Sequence, residues 1–229
     1  NVDNLKEFHP KSFEIKKHYP NHFSDLTSKY AHEWNLALRN YCIQNNLNFI
    51  LETTLNSGEN INKIINNLKR NRYDVDIYLM SVPLEVSKIS CYLRYEESLN
   101  LNIPSRKVSA VSHDERFNAI PNAIKEIEKE KLYDYIYLYG RTIMDLNYQN
   151  DHLNKISLIG KTRNYIYEDF MMEREQPLLK KTKHYIEQCV SRVFELMNNR
   201  AERKEEIELF INEFEDFLPD KNIINSLKK

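Results

Sequence analysis

The chain has 229 residues, 41% of them hydrophobic and 29% charged, enough for one α/β domain with a small helical annex. A net charge of −1 excludes a global pull toward nucleic acid or an anionic membrane, and no run approaches the ~18 apolar residues of a membrane span. Cys42, Cys91 and Cys189 are far apart and odd in number, which fits a reducing cytoplasm better than a disulfide framework or a metal site; three glycines are too few for most phosphate-cradling loops.

In chain order, Asn1 and Val2 read as the end of a strand. Asp3 then falls just past a carboxyl end, where α/β enzymes place working groups. Residues 31–44 (AHEWNLALRNYCIQ) put Trp34, Leu38, Tyr41 and Cys42 roughly on one helical face. "NFILETT" holds the apolar run Phe49, Ile50, Leu51, which predicts a strand covered on both faces and ending at Glu52. "ENINKIINNLKRN" spaces Ile61, Ile64, Ile65 and Leu68 as an amphipathic helix. "DVDIYLMSVP" predicts a buried strand closed by Pro83, and residues 84–98 a helix. Ser112 with Glu115 has the pattern of a capping box, opening a helix that carries Phe117, Ile120, Ile124 and Ile127. "YDYIYLYGR" is a further strand. Strand–helix alternation predicts a parallel sheet with helices on both faces, and working groups near Asp3, Glu52 to Thr54, Ser81 and Arg141. From about residue 165 the strand pattern ends. Leu178, Tyr185, Ile186, Cys189, Val193 and Leu196 mark one helix, and Ile207, Phe210, Ile211, Phe214 and Leu218 another. The expected division is a core over 1–165 and a helical annex over 166–229.

Several short signals have ordinary readings. Gly160-Lys161-Thr162 ends like a P-loop, but position 155 is lysine where the loop needs its first glycine, so a turn between short strands is expected. His18 and His22 are spaced like zinc ligands on a helix, but Pro20 lies between them, and a surface loop is expected. Lys69, Arg70 and Arg72 suit a helix C-terminus through its dipole. Two signals weigh more. Arg94 and Arg106 flank a segment containing Pro104, between two helices, and a helix–loop–helix with two arginines suits a lid that neutralises polyphosphate charge; two surface arginines are the plain alternative. Glu52 would end a buried strand, where a carboxylate is costly unless paired or ligating.

The ordered set of motifs resembles the zeta toxin family, the P-loop kinase toxins of bacterial toxin–antitoxin pairs. Asp3, Lys6 and His9-Pro10 match that family's Asp, basic residue and His-Pro; Glu52 and Thr54 its Glu-x-Thr; Arg94-Tyr95-Glu96 its Arg-Tyr-Glu helix; Arg106 its second lid arginine; and His113-Asp114 its His-Asp pair. The match covers residues 1 to about 145. The resemblance implies a P-loop kinase-like fold whose Walker A strand and loop would precede Asn1. It implies ATP and Mg²⁺, and transfer of phosphate to a sugar hydroxyl of UDP-N-acetylglucosamine or a related UDP-amino sugar.

By the same resemblance Asp3 activates the hydroxyl, Glu52 and Thr54 contact the sugar nucleotide, Arg94 and Arg106 hold ATP phosphates, and a cognate antitoxin is the protein partner. The sequence departs from the family at Leu55-Asn56-Ser57-Gly58, where Arg-Thr is usual, and at Lys107-Val108, where Ala-Thr is usual. Both departures lie near the acceptor or the lid, so a kinase of another hydroxyl, such as a dinucleotide ribose or an antibiotic, is the nearest alternative. A non-catalytic interaction protein that keeps the fold is the alternative of another class.

Overall fold

The computed structural model describes residues 1–19, 22–103, 105, 107–143 and 155–218, the side chain of Thr142 excepted. The elements are α1 (Val2–Lys6), α2 (Ser12–His18), α3 (Phe23–Gln44), α4 (Gly58–Arg70), β1 (Asp76–Ser81), α5 (Leu84–Asn100), α6 (Ala110–Glu130), β2 (Tyr135–Thr142), β3 (Lys155–Thr162), α7 (Tyr167–Glu175), α8 (Lys180–Asn199) and α9 (Lys204–Glu213), followed by a 3-10 turn over Glu215–Phe217. They form two compact units, one of Asn1–Ile77 with Pro104–Tyr135, the other of Tyr78–Ile103 with Ile136–Lys229. No described helix is long and apolar enough to cross a membrane.

In the first unit the isoleucine stripe of α4 behaves as its spacing predicts. Ile65 and Leu68 are buried, as are Ala123, Ile124 and Ile127 of α6, which packs against α4. Each of these larger aliphatic side chains contributes roughly 1.5–3 kcal/mol by leaving water. Ser57 caps α4, its hydroxyl accepting from the Asn60 N–H at 3.3 Å, while Glu126 of α6 accepts from the Glu59 N–H at 3.0 Å. Gly58 sits where these helices nearly touch: a Cβ there would press into the Ala123 carbonyl oxygen and stand 2.6 Å from Glu126 Cβ. Part of the Leu55–Gly58 departure is therefore a packing requirement. Gly58→Ala is expected to destabilise the protein by about 1–3 kcal/mol, the usual range for forcing atoms into a filled contact. A urea titration would measure it, and an unchanged midpoint would mean that the helices part without cost.

Four expectations change in this unit. Asn1 and Val2 do not end a strand; Asn1 caps α1, its side chain accepting from the Asp3 N–H at 2.8 Å, and Val2–Lys6 is helical. The run at 49–51 forms no regular element and joins no ladder among the described residues, and Ile50 is 95% exposed, so Glu52 lies on an exposed segment rather than at the end of a buried strand. A strand needs a neighbour for its N–H and C=O groups, and no described strand supplies one. On α3 the expected apolar face does not form: Leu38 and Tyr41 are exposed, and the fully buried positions are Thr27 and Ala31, small residues that let α1 come close. Finally, α6 is capped by Ser109, whose hydroxyl accepts from the Ser112 N–H, so Ser112 lies inside the first turn.

The second unit holds nearly all of a three-stranded sheet in the order β1-β2-β3. The pair β2–β3 is antiparallel, with Leu138 opposite Gly160 and Tyr137 opposite Lys161. Gly160-Lys161-Thr162 is thus strand, neither a phosphate loop nor a turn. Ser81 at the end of β1 is buried and donates to the Phe170 carbonyl of α7 at 2.9 Å, a structural use of a strand-end hydroxyl. The core here joins Val86 and Ile89 of α5 to Tyr185, Ile186, Cys189, Val190 and Val193 of α8 and to Phe210 and Phe214. The helices expected after residue 165 are those that fill it. Cys42, Cys91 and Cys189 are free thiols.

Glu173 on α7 lies against Gly140 of β2. Burial pushes its carboxyl up, a hydrogen bond from Gln176 opposing. The native state then holds this proton more tightly than the unfolded chain. That contribution to stability is complete below the ordinary glutamate value, about 4.3, and is lost as pH rises through the native value. Glu173→Gln is expected to gain on the parent between pH 4 and pH 7 in paired urea titrations. A constant difference across that range would refute the linkage.

Candidate functional site

The first unit gathers the N-terminal motif and the Glu-x-Thr segment around one polar cluster. Lys6, the last residue of α1, is only 5% exposed. Its ammonium donates to Asp3 Oδ1 at 2.7 Å and to Ser24 Oγ of α3 at 2.9 Å. The i, i+3 spacing of one helical turn brings Asp3 over Lys6, and the small buried face of α3 makes room for the lysine stem. The Asp3 side chain itself is 62% exposed. Its carboxylate is therefore anchored at one oxygen by a buried cation and still reachable from solvent.

Asn1 links this group to the second segment. Its Nδ2 donates to Glu52 Oε2 at 2.7 Å, while its Oδ1 holds the Asp3 N–H. The structure thus brings Asp3 and Glu52 to the two sides of one asparagine, 51 positions apart along the chain from Asn1 to Glu52. Thr54 is exposed on the same segment. Leu55 next to it is buried with φ of 52°, a left-handed conformation that is costly for a branched side chain outside a helix end. Two exposed carboxylates with an anchored orientation can hold a hydroxylated ligand by accepting its O–H groups.

His113 and Asp114 open α6 in the same unit. Nδ1 of His113 lies 3.0 Å from Asp114 Oδ1, and the ring stacks on Phe117 at 5.6 Å. His18 ends α2 and His22 precedes α3, and no group of three His, Cys, Asp or Glu placed to hold a metal occurs among the described residues.

Arg94 belongs to the second unit. It lies on α5 and is exposed, and no carboxylate among the described residues pairs with it. Its neighbours in the Arg-Tyr-Glu motif do other work. Burial pushes the Tyr95 phenol up, and Glu96, 2% exposed, takes two bonds from Arg200, from Nε at 2.7 Å and from a terminal nitrogen at 2.8 Å. Those bonds hold the Arg200 guanidinium protonated well above its ordinary range. Arg106 and Pro104 lie outside the described residues. Arg141, at the end of β2, is engaged structurally: it donates to Ser90 Oγ at 3.2 Å and to the Tyr185 hydroxyl at 3.1 Å, and lies over the Tyr185 ring.

Sequence reasoning noted Lys6 only as a matching basic residue, and missed Asn1 and Ser24. A lysine one helical turn after an aspartate was the available signal for the first. Nothing in the spacing signalled the other two.

Comparison with known proteins gives three findings. The family profile described as Zeta toxin matches residues 1–157. Toxin PezT of Streptococcus pneumoniae serotype 4 (strain ATCC BAA-334 / TIGR4) is 24% identical over 140 residues, which is 61% of this chain and 55% of that protein. The chain thus spans little more than half the length of this curated relative. A solved structure from the molecular and structural characterization of the PezAT chromosomal toxin-antitoxin system of the human pathogen Streptococcus pneumoniae superposes with a TM-score of 0.70 at 19% identity, over 86% of this chain and 74% of that one. At that identity the likeness speaks for the fold.

Proposed function

The chain belongs to the zeta toxin family, and from that membership we propose that it is an ATP-dependent phosphotransferase toxin acting on a sugar hydroxyl of UDP-N-acetylglucosamine or a related UDP-amino sugar. The observation that carries the reading is the carboxylate of Asp3, exposed to solvent yet fixed by the buried Lys6 ammonium. Phosphoryl transfer depends chiefly on positioning and charge neutralisation. An anchored aspartate can accept the proton of a hydroxyl and aim its oxygen at phosphorus. Glu52 and Thr54 are the residues for the sugar nucleotide, the first oriented by Asn1. Arg94 and Arg106 are the residues for the ATP phosphates. On this reading Mg²⁺ would accompany those phosphates and offset their charge; among the described residues no group of three His, Cys, Asp or Glu is placed to hold it. A cytoplasmic setting and a cognate antitoxin belong to the same reading, the latter because the similar solved structure comes from a toxin–antitoxin system.

The segment Leu55–Gly58 favours one second reading, a different hydroxyl acceptor. Its sequence departs from the family next to Thr54, and its backbone is turned at Leu55. Intact protein incubated with γ-labelled ATP and a panel of UDP-sugars, dinucleotides and aminoglycosides separates the two. Label on UDP-N-acetylglucosamine supports the first reading. Label on another acceptor alone supports the second, and no transfer to any acceptor refutes both.

A further inference from the structure

Helix α5 presents Arg94 to solvent and is tied down through Lys88, Tyr92, Glu96 and Glu97. Lys88 donates to Glu213 Oε1 at 2.6 Å, and the Tyr92 hydroxyl donates to the other oxygen of the same carboxylate at 2.9 Å. Arg200 grips Glu96 through two bonds, and Arg192 Nε donates to Glu97 Oε1 at 2.8 Å. Arg200 also pairs with Glu202, and Arg192 with Glu195. At ~100° per residue, Lys88, Tyr92 and Glu96 form one stripe and Arg94 projects roughly opposite. Every tether ends on α8, α9 or the turn between them.

Apolar packing between α5 and α8 already supplies attraction, through Val86, Ile89, Tyr185, Ile186 and Cys189. It does not need charged groups as well. A buried ion pair adds little net stability because both charges lose water, but a two-pronged arginine–carboxylate pair fixes geometry closely. Apolar surfaces tolerate a small slide or rotation of a helix; forked hydrogen bonds do not. Arg94 is sensitive to such motion. Its guanidinium stands about 6 Å beyond a Cα radius of ~2.3 Å, so a turn of α5 by about 10° moves it more than 1 Å. Misplacement on that scale costs on the order of 100-fold in rate when the group acts by position.

We propose that the C-terminal helices α8 and α9 are a positioning device for Arg94, with Arg200 as the principal positioning residue, acting through Glu96. The proposal rests on the reading of Arg94 as an ATP-phosphate arginine. It gives the helices after residue 165 a part in phosphoryl transfer, exerted through Arg94. Arg192 and Glu213 are secondary tethers that set the same rotation.

The test is a double-mutant cycle in the intact protein, with single-turnover rates on ATP and UDP-N-acetylglucosamine and a thermal melt as fold control. Arg200→Lys keeps a cation beside the buried Glu96 and loses the fork. It is expected to lower the rate about 10- to 100-fold, with the KM for the acceptor within about 2-fold, since uniform binding is untouched. In an Arg94→Ala background it is expected to cost nothing further. If Arg200→Lys fails to fold, Arg192→Ala serves, because Glu97 is partly exposed and can be hydrated once unpaired; its smaller loss must likewise vanish without Arg94. Equal losses in both backgrounds would mean that the tethers only hold the fold. A parental rate for Arg200→Lys and for Arg192→Ala would also overturn the proposal. A parental rate for Arg94→Ala alone removes the reading beneath it, and is distinguishable because it needs no tether variant.

Discussion

Arg94→Ala is expected to lower the single-turnover rate of phosphate transfer by about 10³- to 10⁵-fold, the range for an arginine that neutralises transferring phosphoryl charge. It is expected to leave the melting temperature almost unchanged. Arg94 is exposed and has no carboxylate partner among the described residues. An exposed side chain without partners changes stability by roughly 0.5 kcal/mol or less when removed. The two measurements therefore separate: a rate that collapses on an unaltered melting curve marks a group retained for chemistry. Arg94→Lys refines the result. Lysine restores the charge but not the planar fork, so it should recover part of the loss and no more. Near-parental turnover for Arg94→Ala would make the residue an ordinary surface arginine.

What the sequence shows of this fold follows from where strong periodicity exists. α4, α6 and α8 carry branched aliphatic residues every three or four positions, and each buries the centre of that stripe: Ile65 and Leu68, Ile124 and Ile127, and Ile186, Val190 and Val193. β1 and β2 are short apolar runs with turn signals beside them, but β1 is not the buried strand expected: Leu79 and Ser81 are buried while Tyr78 and Met80 are exposed. The failures have physical causes. On α3 the contact face is made by Thr27 and Ala31, which carry little hydrophobic signal, while its large side chains such as Leu38 and Tyr41 face outward. The run Phe49-Ile50-Leu51 has the residues of a strand but no described partner, and pairing is not a local property. Strand β3 was hidden by a sequence that ends like a phosphate loop.

The site divides in the same way. Motif order offers Asp3, Glu52, Thr54 and Arg94 as candidates but carries nothing of their environments. Glu52 proves exposed, and Lys6 proves to be the buried charge. The pairing of Glu96 with Arg200 spans 104 positions, far beyond any spacing rule. It turns one residue of the Arg-Tyr-Glu motif into an anchor and leaves its neighbour two positions earlier free of that duty.

Asp3→Asn is expected to reduce the single-turnover rate by about 10²- to 10⁴-fold, the contribution of a positioned acid–base group, at saturating ATP and UDP-sugar in the intact protein. Asparagine has the same shape, and its carbonyl oxygen can still accept from Lys6, so α1 should keep its place against α3. The stability cost should be near 1 kcal/mol, reflecting a charge-assisted bond replaced by a weaker one. What asparagine cannot do is carry negative charge to a hydroxyl and take its proton. A structural aspartate would behave differently. Capping is not its task, because Asn1 already caps α1. If its task is to pair with Lys6 and favour the helix dipole, the replacement should lower the melting temperature and spare the rate. Lys6→Met gives the complementary result. It removes the anchor, keeps the stem and leaves the Asp3 carboxylate, so the rate should fall through loss of aim while the proton acceptor remains. A rate for Asp3→Asn within ~10-fold of the parent, with a lowered melting temperature, would assign Asp3 to structure and leave the reaction without its base.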